Sequence, residues 1–331
     1  MKKISREIFK EFKKAKRVLC PLHLNPDGDS VASALAMYYL LSRMGKKIRV
    51  TSSDKLSNKF SFLKDCQKVE IKDFTDLDLT KFDLILFLDI SSLNRFTKEN
   101  NFNIPENIIT INIDHHDTNV RFANINAVFP EIGSTCQILY EFFKFQGIKI
   151  DKNISDLLYC GIYTDTGGLE FAASVRTHEI MTDLLRKGAN HNEIVFQLER
   201  KLDIRHIKSW GEILENLKID VKHRFCWSTI SYDDILKIGC DPTDYHGATE
   251  YIKMIKGTDF GFILAEQEPN NVRGDLRSRR QPEEEGFDVS QIAVALGGGG
   301  HKAAAGFELK MDLNNAEKTV LKTARKFAKK H

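Results

Sequence analysis

Residues 83–89, DLILFLD, read as one strand that is apolar on both of its faces. A strand without polar alternation has to be covered on two sides, as in a parallel sheet between helices. Neighbouring segments repeat the pattern. RVLCPLHLN (17–25), KKIRVTS (46–52) and IITINID (108–114) are further strand candidates. Between the first two, SVASALAMYYLLSRMG (30–45) has Val31, Leu35, Tyr38 and Leu41 at helical spacing and Gly45 as a stop. The pattern predicts an α/β fold whose N-terminal part is a parallel sheet with helices on both faces. Such sheets bind ligands beyond the C-terminal ends of their strands. His23, Asp89 and Asp114-His115-His116 each follow a strand candidate, so three polar clusters fall on one rim.

A chain of 331 residues suits two domains. Helices are predicted at 133–147, 155–168 and 176–189, and a long charged helix at 192–217 reads as a connector. Past residue 220, 223–232 reads as a strand, and 258–268 and 272–280 as a strand pair around the turn PNN. Residues 289–309 read as a helix, a glycine-rich loop, then a helix or strand. The expected division is a parallel-sheet α/β domain over 1–190, a helical linker over 191–217 and a smaller α+β domain over 218–331. The acidic run at 283–285 reads as a solvated loop.

Composition narrows the partners. Apolar content of 42% and charged content of 29% are those of a globular protein. A net charge of +3 speaks against a long basic arm for duplex DNA and leaves room for a short polyanion held by local charges. The six cysteines, at 20, 66, 136, 160, 226 and 240, form no Cys-x-x-Cys pair, which suits buried thiols in the cytoplasm. No apolar run reaches the roughly 20 residues of a membrane span. The basic N-terminus lacks the apolar stretch of a signal peptide. It reads as an amphipathic helix with Ile4, Ile8, Phe9 and Phe12 on one face.

Five clusters carry chemistry. HLNPDGDS supplies His23, Asp27 and Asp29. Carboxylates suit a hard divalent cation, and an imidazole shifts preference towards a transition metal such as Mn²⁺. The competing reading is that Asp29 or Ser30 caps the following helix. Asp89 ends an apolar strand, where burial calls for a metal or for a partner such as Arg95. Asp114-His115-His116-Asp117 offers two imidazoles pointing different ways, one for a metal and one for a phosphate. Asp165 in TDTGG is either a ligand or a turn residue. In the second domain, Arg277, Ser278, Arg279 and Arg280 precede Gly297-Gly298-Gly299-Gly300-His301. A glycine-rich loop leading into a helix presents backbone N–H groups to an anion. It is not a Walker A loop, because His-Lys-Ala follows the last glycine.

HLNPDGDS, FLDIS, IDHHDTN and YTDTGG resemble, in order, the four signature motifs of the DHH phosphoesterase superfamily. LRSRR and GGGGHKAAAGF resemble the DHH-associated domain of its nanoRNase and oligoribonuclease branch, and the resemblance covers nearly the whole chain. It implies two divalent ions, Mn²⁺ first among them. His23, Asp27 and Asp89 would hold one; Asp29, Asp89, His115 and Asp165 the other, with Asp89 bridging. His116 would contact the scissile phosphate, and Asp114 would support it. Arg277, Ser278, Gly298, Gly299, Gly300 and His301 would hold the nucleotide across a cleft between domains. Two metals a few ångströms apart suit phosphodiester hydrolysis. A hinge near 190–215 would exclude water on closing. TDTGGLEF continues as AASVRTHE, whose small residues depart from the family's pattern after Phe171.

The resemblance implies a hydrolase of very short RNA, with 3′-phosphoadenosine 5′-phosphate (PAP) as a second substrate. The first alternative is a phosphodiesterase of linear or cyclic dinucleotides. A RecJ-like exonuclease and a family II pyrophosphatase fit less well, the one for want of a nucleic-acid-binding domain, the other because its second domain lacks GGGGH. A nucleotide-binding regulator without catalysis is the reading from another class. Substrate preference, cleavage polarity, physiological metal and oligomeric state, a homodimer included, stay open at this level.

Overall fold

A computed structural model describes residues 1–97, 99, 102–170, 173–242, 245–279 and 286–328. Phe171, Ala172, Arg280 and the acidic run at 283–285 lie outside the described residues. The chain forms two compact units, residues 1–201 and 202–331.

The first unit runs α1 (Lys2–Lys14), β1 (Arg17–Pro21), α2 (Gly28–Arg43), β2 (Lys47–Ser52), β3 (Val69–Ile71), β4 (Leu84–Leu88), β5 (Ile109–Asp114), β6 (Ile125–Val128), α3 (Thr135–Phe145), α4 (Lys152–Asp165), α5 (Val175–Arg186) and α6 (His191–Glu199). Its six strands form a parallel sheet in the order β3-β2-β1-β4-β5-β6. Strand order reverses between β1 and β4, where doubly wound sheets open a crevice at their carboxyl ends. Those two strands pair only at Val18↔Leu84 and Leu19↔Ile85, so they part before the rim.

Side chains alternate across the sheet. Val18, Cys20, Leu84, Leu86, Leu88, Ile111 and Ile113 join one core with residues of α1 to α6. Leu19, Ile85 and Phe87 face the other way. Single 3₁₀ turns and loops cover that face, bringing Phe74, Phe96 and Phe102 together, with Phe96 at 4.8 Å from Phe74 and 5.0 Å from Phe87 between ring centroids. Helical segments therefore cover both faces, the long ones on one side only.

The predicted single helix at 192–217 is two. α6 ends at Glu199, and α7 (Ile204–Glu215) begins a new unit behind Asp203, whose side chain accepts from the Arg205 N–H at 2.9 Å.

The second unit continues with β7 (Lys218–Asp220), β8 (Phe225–Ile230), α8 (Tyr232–Ile238), α9 (Thr249–Ile252), β9 (Phe260–Glu268), β10 (Asn271–Ser278), α10 (Ser290–Ala295), β11 (Gly299–Gly300), β12 (Ala304–Leu309) and α11 (Leu313–Phe327). The sheet order is β11-β12-β10-β9-β8-β7, with β8 and β9 parallel and the other pairs antiparallel. One face packs Phe225, Phe260, Phe262, Leu276 and Phe307 against α10 and α11. The other packs Cys226 and Ile263 against α7, α8 and α9. α11 is absent from the sequence reading. Asp312 caps it, and Ala316, Val320 and Ala324 bury one face at i, i+4 and i+8.

Of the two continuations expected after the glycine run, the strand is the one formed. Gly299 and Gly300 pair with Gly306 and Ala305, and the segment leaves the C-terminal end of α10. A helix N-terminus for an anion is therefore not what these glycines build. Among the described residues, no helix is long and apolar enough to cross a membrane. All six cysteines are free thiols and five are buried.

Candidate functional site

His23 stands just past β1. Its Nδ1 lies 2.8 Å from the Leu24 carbonyl oxygen. A carbonyl only accepts, so Nδ1 carries a proton, and in the neutral ring Nε2 is the nitrogen with the lone pair a cation needs. That Nε2 lies 3.5 Å from Asp89 Oδ2 and 3.6 Å from Asp27 Oδ1. Asp27 is also the N-cap of α2, accepting from the Ser30 N–H at 2.9 Å. The cap thus falls on Asp27 and not on Asp29 or Ser30.

Asp29 turns the other way and is fully buried. Its carboxylate accepts from the backbone N–H of Thr135 at 2.6 Å and of Cys136 at 2.9 Å. These are unpaired donors of the first turn of α3. Anchored there, Asp29 joins His115 and Asp165, the last residue of α4. Two side chains two residues apart thus reach two different groups.

Asp89 links those groups. It follows β4 with a left-handed φ of 61°. Its Oδ2 faces His23, while its Oδ1 lies 3.4 Å from His115 Nε2 and accepts from the Thr135 hydroxyl at 3.2 Å. His115 Nε2 is also 3.2 Å from Asp165 Oδ2. It is buried and makes no hydrogen bond. A buried nitrogen without a hydrogen bond, aimed between two carboxylates, is what a cation ligand looks like. Arg95 is exposed and Asp117 is exposed; neither enters the cluster. Among the described residues, Asp89 faces His23 and His115 and makes no ion pair with Arg95.

The charges agree with a cation site. Burial, with the charge of Asp89 added, pushes the Asp29 carboxyl up to about 7. Burial and then Asp29 push Asp165 well above the carboxylate range. Burial also opposes ionisation of Asp89, yet the facing imidazoles of His115 and His23 hold it well below that range. Burial disfavours an imidazolium at His115, but Asp89 and Asp165 outweigh it and raise the group to about 10. His23 is likewise raised well above its ordinary value against burial, by Asp27 and Asp89. Four carboxylates and two imidazoles crowd one pocket, and oxygen-rich sets with imidazole suit divalent ions such as Mn²⁺. The donor atoms in each of the two groups lie within 4.8 Å of one another. The residues fit a pair of cations sharing Asp89.

In the second unit, β12 lies between β10 and β11. Arg277 pairs with Ala304, and Ala305 pairs with both Leu276 and Gly300. A tight turn joins His301 and Ala304, closed by His301 N–H to Ala304 O at 2.8 Å. The Ser278 N–H donates to Ala303 O at 2.8 Å. Arg277, Ser278, Gly299, Gly300 and His301 therefore gather at one corner of the sheet. Gly298 joins them by close approach, since a Cβ there would meet Gly306 O at 2.2 Å. Ser278 Oγ is buried without a hydrogen bond. Arg279 is structural, its backbone N–H donating to Asp259 O at 2.9 Å.

Residues 17–162 match the DHH family, N-terminal domain, and residues 226–330 match the DHHA1 domain. The chain belongs to the DHH family. It is a metal-dependent phosphoesterase, a hydrolase. This DHH protein is 27% identical to the bifunctional oligoribonuclease and PAP phosphatase NrnA of Thermus thermophilus over 305 residues, 92% of this chain and 87% of the relative. It shares its fold with an exopolyphosphatase-related protein from Bacteroides fragilis, at a TM-score of 0.90 and 24% identity across 98% of this chain and 96% of that one. RecJ in complex with Mn²⁺ from Thermus thermophilus follows at a TM-score of 0.52 and 14% identity, across 98% of this chain and 54% of that one.

Sequence reasoning missed several parts of this DHH site. Asn119, inside IDHHDTN, donates to Asp114 Oδ2 at 2.5 Å and to Asn112 Oδ1 at 2.8 Å. Asp114 is fully buried, and its Oδ1 lies 2.7 Å from His116 Nδ1. Thr135 anchors Asp29 and Asp89 together. Gly161 lets α4 approach, since a Cβ there would meet Cys136 Sγ at 2.3 Å and Asp29 Oδ1 at 2.7 Å. Asn119 was readable from its place in the motif; the other two are contacts across more than a hundred residues or between helices.

Proposed function

We propose that this DHH protein hydrolyses very short oligoribonucleotides to mononucleotides and also removes the 3′-phosphate of PAP. The carrying observation is its likeness, over 92% of its length, to a relative named for both reactions. A filled set of ligand positions around Asp89 supports catalysis over mere binding.

In this reading His23, Asp27 and Asp89 hold one ion, and Asp29, Asp89, His115 and Asp165 hold the other, most simply Mn²⁺. The RecJ structure named above holds that metal in the same fold. Two such ions, when bound, supply an activated water and neutralise charge on the phosphoryl oxygens. The protein's own groups do the rest. Asp89 offers one oxygen to each group of ligands. His116 has Nδ1 on Asp114, which leaves Nε2 to meet the scissile phosphate. Burial disfavours its imidazolium, but Asp114 and Asp89 outweigh burial and raise it above its ordinary value, so it meets the phosphate as a donor. Arg277, Ser278, the Gly298–Gly300 segment and His301 hold the nucleotide, the arginine on a phosphate and the glycine backbone close beside it.

A substrate panel tests the reading: di- to penta-ribonucleotides, linear and cyclic dinucleotides, and PAP, each with Mn²⁺. Mononucleotides from the short RNAs and phosphate from PAP are expected. Preferential cleavage of cyclic dinucleotides would move the protein to the second-messenger reading. A folded, Mn²⁺-loaded sample that leaves every substrate intact would make it a binding protein.

A further inference from the structure

The outer face of α1 is built of cations. Lys3, Arg6, Lys10 and Lys13 recur at i, i+3, i+7 and i+10, with Lys2 and Lys14 beside them, and all six are exposed. The opposite face buries Ser5, Ile8 and Phe12. Residues 1–17 hold eight Lys and Arg against Glu7 and Glu11, a net +6 in a chain whose total is +3, so the remaining residues are net acidic. Lys46 extends the stripe, since its Nζ donates to Lys13 O at 2.6 Å.

Local stability accounts for only part of this arrangement: Lys13 and Lys14 sit in the last turn, where the dipole favours cations, and Lys13 lies over the Phe9 ring at 4.9 Å. Like charges three and four apart on a helix repel. Lys2 and Lys3 stand at the positive end of the helix dipole, and the first turn holds no acid. Among the described residues, Lys14 is the one of the six that makes an ion pair, with Glu11 at 2.7 Å. A concentrated cationic stripe on a fixed helix is a surface for a polyanion.

We propose that α1 is a binding surface for single-stranded RNA longer than the substrate, separate from the metal centre. The identity of the polyanion as RNA rests on the reaction proposed above. α1 leads into the first residue of β1, and Lys46 and Lys47 lead into β2, whereas His23 and Asp89 lie at the carboxyl ends of the strands. The five residues of β1 alone span about 16 Å, so a dinucleotide at the metals does not reach the stripe. Thirteen helical residues give a straight row of about 20 Å. A flexible strand can lay successive phosphates along it. Duplex curves away from a straight helix after a few contacts. An anionic membrane is the weaker partner, because the apolar face of α1 is committed to the core. Phe9 and Phe12 pack edge-on against Phe142, and Gln146 donates to Ser5 Oγ at 2.8 Å. The stripe is a row of cations at helical spacing, which suits contacts to successive phosphates more than readout of base edges.

The test is fluorescence anisotropy of the full chain with a labelled single-stranded RNA of roughly 20 nucleotides, in EDTA, with and without excess diadenylate. The comparison is the triple variant Lys3→Gln, Arg6→Gln, Lys10→Gln. Binding should survive the dinucleotide, weaken steeply with salt, and fall about tenfold or more in the variant. Dinucleotide hydrolysis with Mn²⁺ and the circular dichroism spectrum should be unchanged. Failure of hydrolysis in the wild type would count against the proposed reaction and leave the binding measurement readable. Loss of RNA binding to excess diadenylate, or equal affinity of variant and wild type, overturns the proposal. So does tighter binding to phosphatidylglycerol vesicles than to RNA.

Discussion

His116 Nδ1 lies 2.7 Å from Oδ1 of Asp114, and Asp114 in turn accepts from the side chain of Asn119. This fixes which imidazole nitrogen faces outward and favours its charged form. Replacing Asp114 with Asn keeps the shape and removes the charge. Turnover should fall about 10- to 100-fold, the usual range for a partner that orients an active imidazole. Bound Mn²⁺, measured by elemental analysis, should stay near the wild-type amount. Full activity in Asp114→Asn would remove the role given to this pair.

Asp89 and Asp27 should differ in kind. Asp89→Ala removes a ligand from both groups, so the purified protein should lose both ions and all measurable turnover. Asp27→Ala touches one group and should keep about one ion per chain. Equal metal content in the two variants would contradict the shared role of Asp89.

Metal binding should release protons. With no cation bound, His115 stays protonated up to about pH 10 and Asp29 up to about pH 7. A cation has to displace those protons, since only the free base ligates. Raising the pH from 6 to 8 removes part of the competition, so affinity for Mn²⁺ should rise. Calorimetry in two buffers of different ionisation enthalpy reads the proton count directly. A count of zero, or affinity that falls with pH, would contradict the geometry.

Two glycines in helices should respond oppositely to alanine. At Gly161 the new Cβ meets Cys136 and Asp29, so overpacking of about 1–3 kcal/mol is expected, with weakened metal binding. At Gly211, inside α7, nothing lies within 4 Å of the new atom. Helix propensity then predicts a gain of about 1 kcal/mol. Chemical denaturation of both variants checks the pair.

What the sequence revealed follows from period and position. His23, Asp89 and the His115-His116 pair were legible because each follows an apolar run, and in a parallel sheet those ends share a rim. The tie between Asp29 and the start of α3 was not, because its partners sit 106 and 107 residues away. The linker reads as one helix because Arg200, Lys201 and Leu202 continue a helical rhythm in the sequence, and it is two because Asp203 restarts that rhythm. The glycine run leaves helix and strand open behind it, and the strand is the one formed, since Ala305, Phe307 and Leu309 alternate there, with the first two buried and the third packed on the core. Glycines there serve close strand approach, a need that composition alone does not distinguish from anion binding.

The ligands are spread from His23 to Asp165, with Asp29 held by α3 and His115 faced by the end of α4. No contiguous fragment of the early chain contains them. During synthesis the metal centre cannot close until α4 has left the ribosome, although the four central strands are already made. A nascent chain short of the end of α4 therefore has His23, Asp27 and Asp89 in place but lacks Asp165, which completes the group around Asp29 and His115.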